Sequence, residues 1–115
     1  MIGSLSVTDQ QPASFRPTRT WAQKRIRELA ADTSKLRWTE HIMEQMEARD
    51  ITDEDVLRVL RRGDVETDPV ADKTSSGWKV KVVDKHPRGR AIGVVTIIMD
   101  RGFLRLVTTE WEDHR

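Results

Sequence analysis

Apolar residues recur along this chain with two different periods, and the change from one to the other falls at Gly63. Before it the spacing is helical. Ala22, Ile26, Leu29 and Ala30 stand at i, i+4, i+7 and i+8, on one face of a helix predicted over Trp21 to about Ala31. Thr20, with Gln23 three residues on, predicts a capping box at its start. Two shorter helices are written between Trp38 and Gly63. Thr39 is the expected cap of the first, with Trp38 and Met43 spaced as a hydrophobic staple. Thr52 caps the second and Asp55 answers it, while Asp53 and Glu54 put negative charge at the positive end of the helix dipole. Ile51 and Val56 have staple spacing, and Arg58, Arg61 and Arg62 crowd the other end. Gly63 is expected to close that helix in the left-handed conformation.

After Gly63 the period is that of strands. Asp64 to Asp68 predicts a short strand before Pro69, and Val70 to Gly77 a loop. Trp78 to Val82 alternates apolar and cationic residues, as a half-buried strand does. Ala91 to Met99 is apolar at nearly every position, which suggests a central strand covered on both faces, and Phe103 to about Trp111 makes a last strand. With a four-residue loop His86 to Gly89 and a three-residue loop Asp100 to Gly102, Trp78, Val80 and Val82 share a core face with Gly93, Val95, Ile97, Met99, Phe103, Val107 and Trp111. The opposite face then carries Lys79 and Lys81 beside Ile92, Val94, Ile98, Leu104 and Leu106. So apolar a second face needs a cover: the Trp21 helix, a second copy or another protein. A slip of one residue in either loop exchanges the faces.

A chain of 115 residues has room for one domain. Residues 1–19, rich in Ser, Thr, Gln and Pro without period, read as a disordered tail, and 20–115 as a single domain. Cysteine is absent, which excludes disulfides and zinc–thiolate sites. No apolar run approaches the roughly 18 residues of a membrane span and no signal-peptide pattern opens the chain, so the expectation is a cytoplasmic protein with no membrane contact. Net charge is only +1. Locally it is uneven: Lys79, Lys81, Lys85, Arg88 and Arg90 face one anion, Asp84, between Gly77 and Arg90, whereas acids dominate from Ile51 to Asp72. Such asymmetry focuses a field, although charged stretches are also what any solvated face requires.

The pattern His41, Met46, Arg49, Ile51, Asp55-Val56 and Gly63, followed by a strand after Gly77 and a closing apolar strand, resembles domain of unknown function family 4258, small bacterial proteins, from about Trp38 to Glu112. That family looks related to the RelE and BrnT toxins. The resemblance implies helices packed on a small antiparallel sheet and, when freed from an antitoxin, RNA cleavage without a metal. Two positions depart from the family's usual pattern: Gln45 stands in place of a second Arg after the His, and Asp50 in place of a Gly before the Ile.

Metal-independent RNA cleavage needs a base for the 2′-hydroxyl, an acid for the leaving oxygen and cations for the phosphorane. His41 and His86 are the catalytic candidates, and Arg49, Lys79, Lys81, Arg88 and Arg90 the candidates for nucleic-acid contact. The turn His86-Pro87-Arg88-Gly89-Arg90 gathers an imidazole and two guanidinium groups on one loop. Trp111 is a candidate base-stacking ring as well as a core residue. No HExxH, glycine-rich phosphate loop or nucleophile elbow is present, so neither a metal nor a cofactor is expected. The expectation is an α+β domain, RelE/BrnT-like, with two or three N-terminal helices on an antiparallel sheet of three or four strands. Its expected function is that of a toxin-type endoribonuclease or a degenerate relative, with RNA and an antitoxin-like protein or a second copy as partners. The alternative is a non-catalytic protein-binding module.

Overall fold

The computed structural model describes residues 16–85 and 89–112, so most of the expected tail and His86, Pro87 and Arg88 of the first hairpin lie outside the described residues. In chain order the elements are α1 (Arg19–Ala30), a 3-10 turn (Thr33–Lys35), β1 (Leu36–Trp38), α2 (Glu40–Arg49), α3 (Asp53–Arg62), β2 (Asp64–Val65), β3 (Val70–Ala71), β4 (Trp78–Lys85), β5 (Ala91–Met99) and β6 (Phe103–Glu112). The three helices pack on one face of the sheet in an α+β arrangement.

Thr18 starts α1, where Thr20 was the expected cap; its hydroxyl accepts from the Trp21 amide at 3.1 Å. Gln23 does not close a capping box. Its Oε1 accepts the Val65 amide at 2.9 Å, satisfying a donor of β2, so a tertiary bond displaces the local one. Arg19 adds two more ties, its amide donating to Asp68 Oδ1 at 2.9 Å and its Nη1 to the Glu66 carbonyl at 3.1 Å. Thr39 caps α2 as expected. Met43 does not staple against Trp38: it is 50% exposed, because the inward stripe of α2 runs through Ile42 and Met46 instead. Asp50 ends the helix in the left-handed region (φ 58°, ψ 44°), a conformation Asp tolerates better than most residues.

The predicted capping box of α3 is present, with Thr52 Oγ1 accepting the Asp55 amide and Asp55 Oδ2 accepting the Thr52 amide, both at 3.0 Å. Gly63 departs from expectation. It is extended (φ −75°, ψ 174°), not left-handed, since the chain passes straight from α3 into β2. Its lack of a side chain matters for space: a Cβ there would lie 2.6 Å from the Val59 carbonyl oxygen and 2.8 Å from both Val82 Cγ1 and the Val83 oxygen.

The described residues form a six-stranded sheet in the order β1-β6-β5-β4-β2, with β3 also on β4, more strands than the three or four expected. It is mixed, not antiparallel, because β1 runs parallel to β6. The sheet's faces are also reassigned. Lys85 pairs with Ala91, leaving five residues in the first loop where four were assumed. This moves Ile92, Val94 and Ile98 onto the same face as Val80 and Val82. The second loop has the expected three residues, with Met99 opposite Phe103 and Gly102 at φ 92°. A register shift between Val95 and Thr96 then makes Val107 the extra residue in β6. The buried face therefore holds Val80, Val82, Ile92, Val94, Ile98, Leu104 and Leu106, covered by Ala22, Ile26, Leu29 and Ala30 of α1, Ile42 of α2 and Val56, Val59 and Leu60 of α3. Its two buried hydroxyls are satisfied within the sheet, Thr96 donating to the Arg105 carbonyl and Thr109 to that of Gly93, both at 2.9 Å. No helix among the described residues is long and apolar enough to cross a membrane.

Candidate nucleic-acid interface

The corrected register sets the character of the face that the helices leave open. Alternation of side chains puts Arg37, Lys79, Lys81, Val95, Ile97, Met99, Phe103 and Arg105 there. Pairing aligns them further: Arg37 is opposite Arg105, Arg105 opposite Ile97, and Ile97 opposite Lys79. Three cations thus stand on one line across four strands, with Ile97 between two of them. Arg105 and Lys79 are exposed, and no salt bridge among the described residues uses either.

A helix turn and a loop make this line into a pocket. On one side the Thr39 hydroxyl donates to the Leu106 carbonyl at 2.7 Å while accepting the Ile42 amide at 3.2 Å, which fixes the first turn of α2 against β6. His41 is carried on that turn. On the other side the segment between β3 and β4 folds over the sheet, closed by the Asp72 amide on the Gly77 carbonyl at 2.9 Å. Asp72 Oδ2 also accepts from the Ser75 hydroxyl at 2.7 Å, the Thr74 hydroxyl at 3.1 Å and the Thr74 amide at 3.3 Å. The Ser75 bond above all, helped by those from Thr74 and by the charge of Lys79, holds its carboxyl below the usual range against the opposing effect of burial. Gly77 lies so close to the sheet that a Cβ would sit 2.4 Å from Ile97 Cγ2. The resulting cavity, about 250 Å³, is lined by Thr39, His41, Asp72, Thr74, Lys79, Ile97, Arg105 and Val107.

Of the candidates read from sequence, His41 and Lys79 meet in this pocket. Lys81 is on the same face but is engaged, its Nζ 2.8 Å from Glu112 Oε2 and 3.5 Å from Glu110 Oε2. Arg49 and Arg90 belong to a different locus. Trp111 Nε1 donates to the Arg49 carbonyl at 2.8 Å, and the Arg90 guanidinium lies 4.1 Å from the Trp111 ring centre. Arg49 is the last residue of α2 and His41 is in its first turn, about 12 Å away along the axis at ~1.5 Å per residue. Trp111, packed against the core, is also the partner of that second locus. His86 and Arg88 lie outside the described residues. Arg37 and Arg105 were missed by sequence reasoning. The signal for Arg105 was the alternation Phe103, Leu104, Arg105, Leu106, which names a cation on the face opposite two leucines.

The pocket offers an imidazole, an ammonium and a guanidinium around one cavity, with the N-terminus of α2 contributing positive potential at its mouth. These groups suit a phosphate. No curated protein and no solved structure matches the chain. The pattern of one family, described as Domain of unknown function (DUF4258), matches residues 38–111, a span that starts at Trp38, just before the cap of α2, and ends at Trp111; the chain belongs to that family.

Proposed function

We propose that the open sheet face binds RNA and that the chain is a toxin-type endoribonuclease cutting beside the His41 pocket. One observation carries the reading: cross-strand pairing sets Arg105 and Lys79 on either side of Ile97, beneath the helix turn that presents His41. In the proposed reaction His41 takes the proton of a ribose 2′-hydroxyl and the freed oxygen attacks the adjacent phosphorus. Arg105 balances the charge of the phosphorane, and Lys79 gives a proton to the departing 5′-oxygen, leaving a 2′,3′-cyclic phosphate and a 5′-hydroxyl. The resemblance of the family to the RelE and BrnT toxins supports the same chemistry. So does the choice of residue types, since none of the three steps calls for a metal.

The test is incubation of the purified protein with RNA, with and without EDTA. The reading expects cleavage that persists in EDTA and falls at least ~10²-fold in His41→Ala. RNA left intact by folded wild-type protein contradicts it. A second reading, a non-catalytic module docking a partner protein on the same face, is favoured by the half-buried Val95, Met99, Phe103 and Val107 around the pocket. That reading expects capture of a protein partner, lost on Val95→Asp, with RNA neither bound nor cut.

A further inference from the structure

Arg37 differs from the other open-face cations in how it is held. Its Nη1 donates to the Ser34 carbonyl at 2.7 Å and to that of Leu36 at 3.4 Å, so part of its hydrogen-bonding edge is already engaged. Its guanidinium carbon stands over the Phe103 ring, 5.0 Å from the centre. A cation fixed at its edge and resting on an aromatic ring has a flat surface to offer, and the residue is exposed. The register puts this surface next to the pocket: Arg37 pairs with Arg105, on the neighbouring strand about 4.8 Å away. Phe103 lies two residues before Arg105 on the same face of β6.

A planar guanidinium stacks nucleobases well, and one already immobilised by the protein loses little freedom when it does so. We infer that the Arg37–Phe103 pair is a stacking platform for an unpaired nucleobase next to the phosphate at Arg105, which makes single-stranded RNA the ligand of this face. The inference rests on the RNA reading above and names its substrate class. Paired bases are stacked within a duplex and present no free plane to Arg37, so double-stranded RNA lacks this contact.

The experiment measures binding, by fluorescence anisotropy, of a labelled 2′-O-methyl RNA 12-mer that cannot be cut, and of copies each lacking one base. Wild type is compared with Arg37→Ala and with Phe103→Leu, which keeps an apolar side chain but removes the ring; circular dichroism establishes that each is folded. The expected result is an abasic position that lowers wild-type affinity about tenfold, a drop that shrinks in both variants, and weaker binding of the duplex form. Binding with no sensitive position, an equal drop in wild type and Arg37→Ala, or duplex held as tightly as single strand overturns the platform and leaves the RNA reading standing. Absence of binding to any RNA overturns both.

Discussion

The hydroxyl of Thr39 donates to the carbonyl of Leu106 at 2.7 Å and accepts the amide of Ile42 at 3.2 Å, so one oxygen both starts α2 and fastens it to β6. Thr39→Val keeps the shape and removes both bonds. Loss of the cap costs about 1 kcal/mol and the stranded Leu106 carbonyl adds to it, so urea unfolding should show a loss of about 1–3 kcal/mol. Because His41 is two residues further on, RNA cleavage should fall more than stability alone explains. An unchanged midpoint would show that the cap carries no weight.

Gly63 and Gly89 provide a matched comparison of space against conformation. At Gly63 the backbone is ordinary and the room is missing; at Gly89 the φ is +93° and nothing lies within 4 Å of a Cβ. Gly63→Ala forces a methyl against the carbonyl oxygens of Val59 in α3 and Val83 in β4, and should cost about 2–3 kcal/mol. Gly89→Ala should cost only about 1 kcal/mol, through strain in φ. The reverse order in urea titrations would mean that the junction can yield.

Lys81 links stability to alkaline pH. The Glu112 hydrogen bond, reinforced by the charges of Glu112 and Glu110 against a smaller effect of burial, raises its ammonium above the ordinary 10.5. A raised folded value means that the stabilisation is fully present below the unfolded value and is lost as pH climbs through the folded one. Wild type should therefore exceed Lys81→Met in stability at pH 8, and the gap should close above about pH 10.5. Thermal melts of both proteins across that range check it; a constant gap would show that the pair is screened out.

The legibility of the chain followed the range of its interactions. The caps at Thr39 and Thr52 were readable because each bond spans three residues and leaves its mark locally. So did the apolar stripe of α1, whose Ala22, Ile26, Leu29 and Ala30 are all buried. β1 left no such mark: three residues have no period, and its partner lies near Leu106, far along the chain. The sheet's faces turned on a single loop residue, since pairing of Lys85 with Ala91 instead of Arg90 sends every side chain of β5 to the other side relative to β4. His41 and Lys79 are visible one by one as reactive types, but their meeting with Arg105 depends on a register and on the loop closed by Asp72 and Gly77.

Whether the open face is the RNA surface is tested most directly by the salt dependence of binding to the uncleavable single strand. Each phosphate contact contributes about 0.7 to the slope of log affinity against log salt concentration. If Lys79 and Arg105 share the scissile phosphate, the double substitution Lys79→Gln/Arg105→Gln should flatten that slope by about 0.7, whereas Arg49→Gln/Arg90→Gln, at the Trp111 end, should leave it unchanged. A slope that flattens only in the second pair would place the RNA at the other locus and contradict the account.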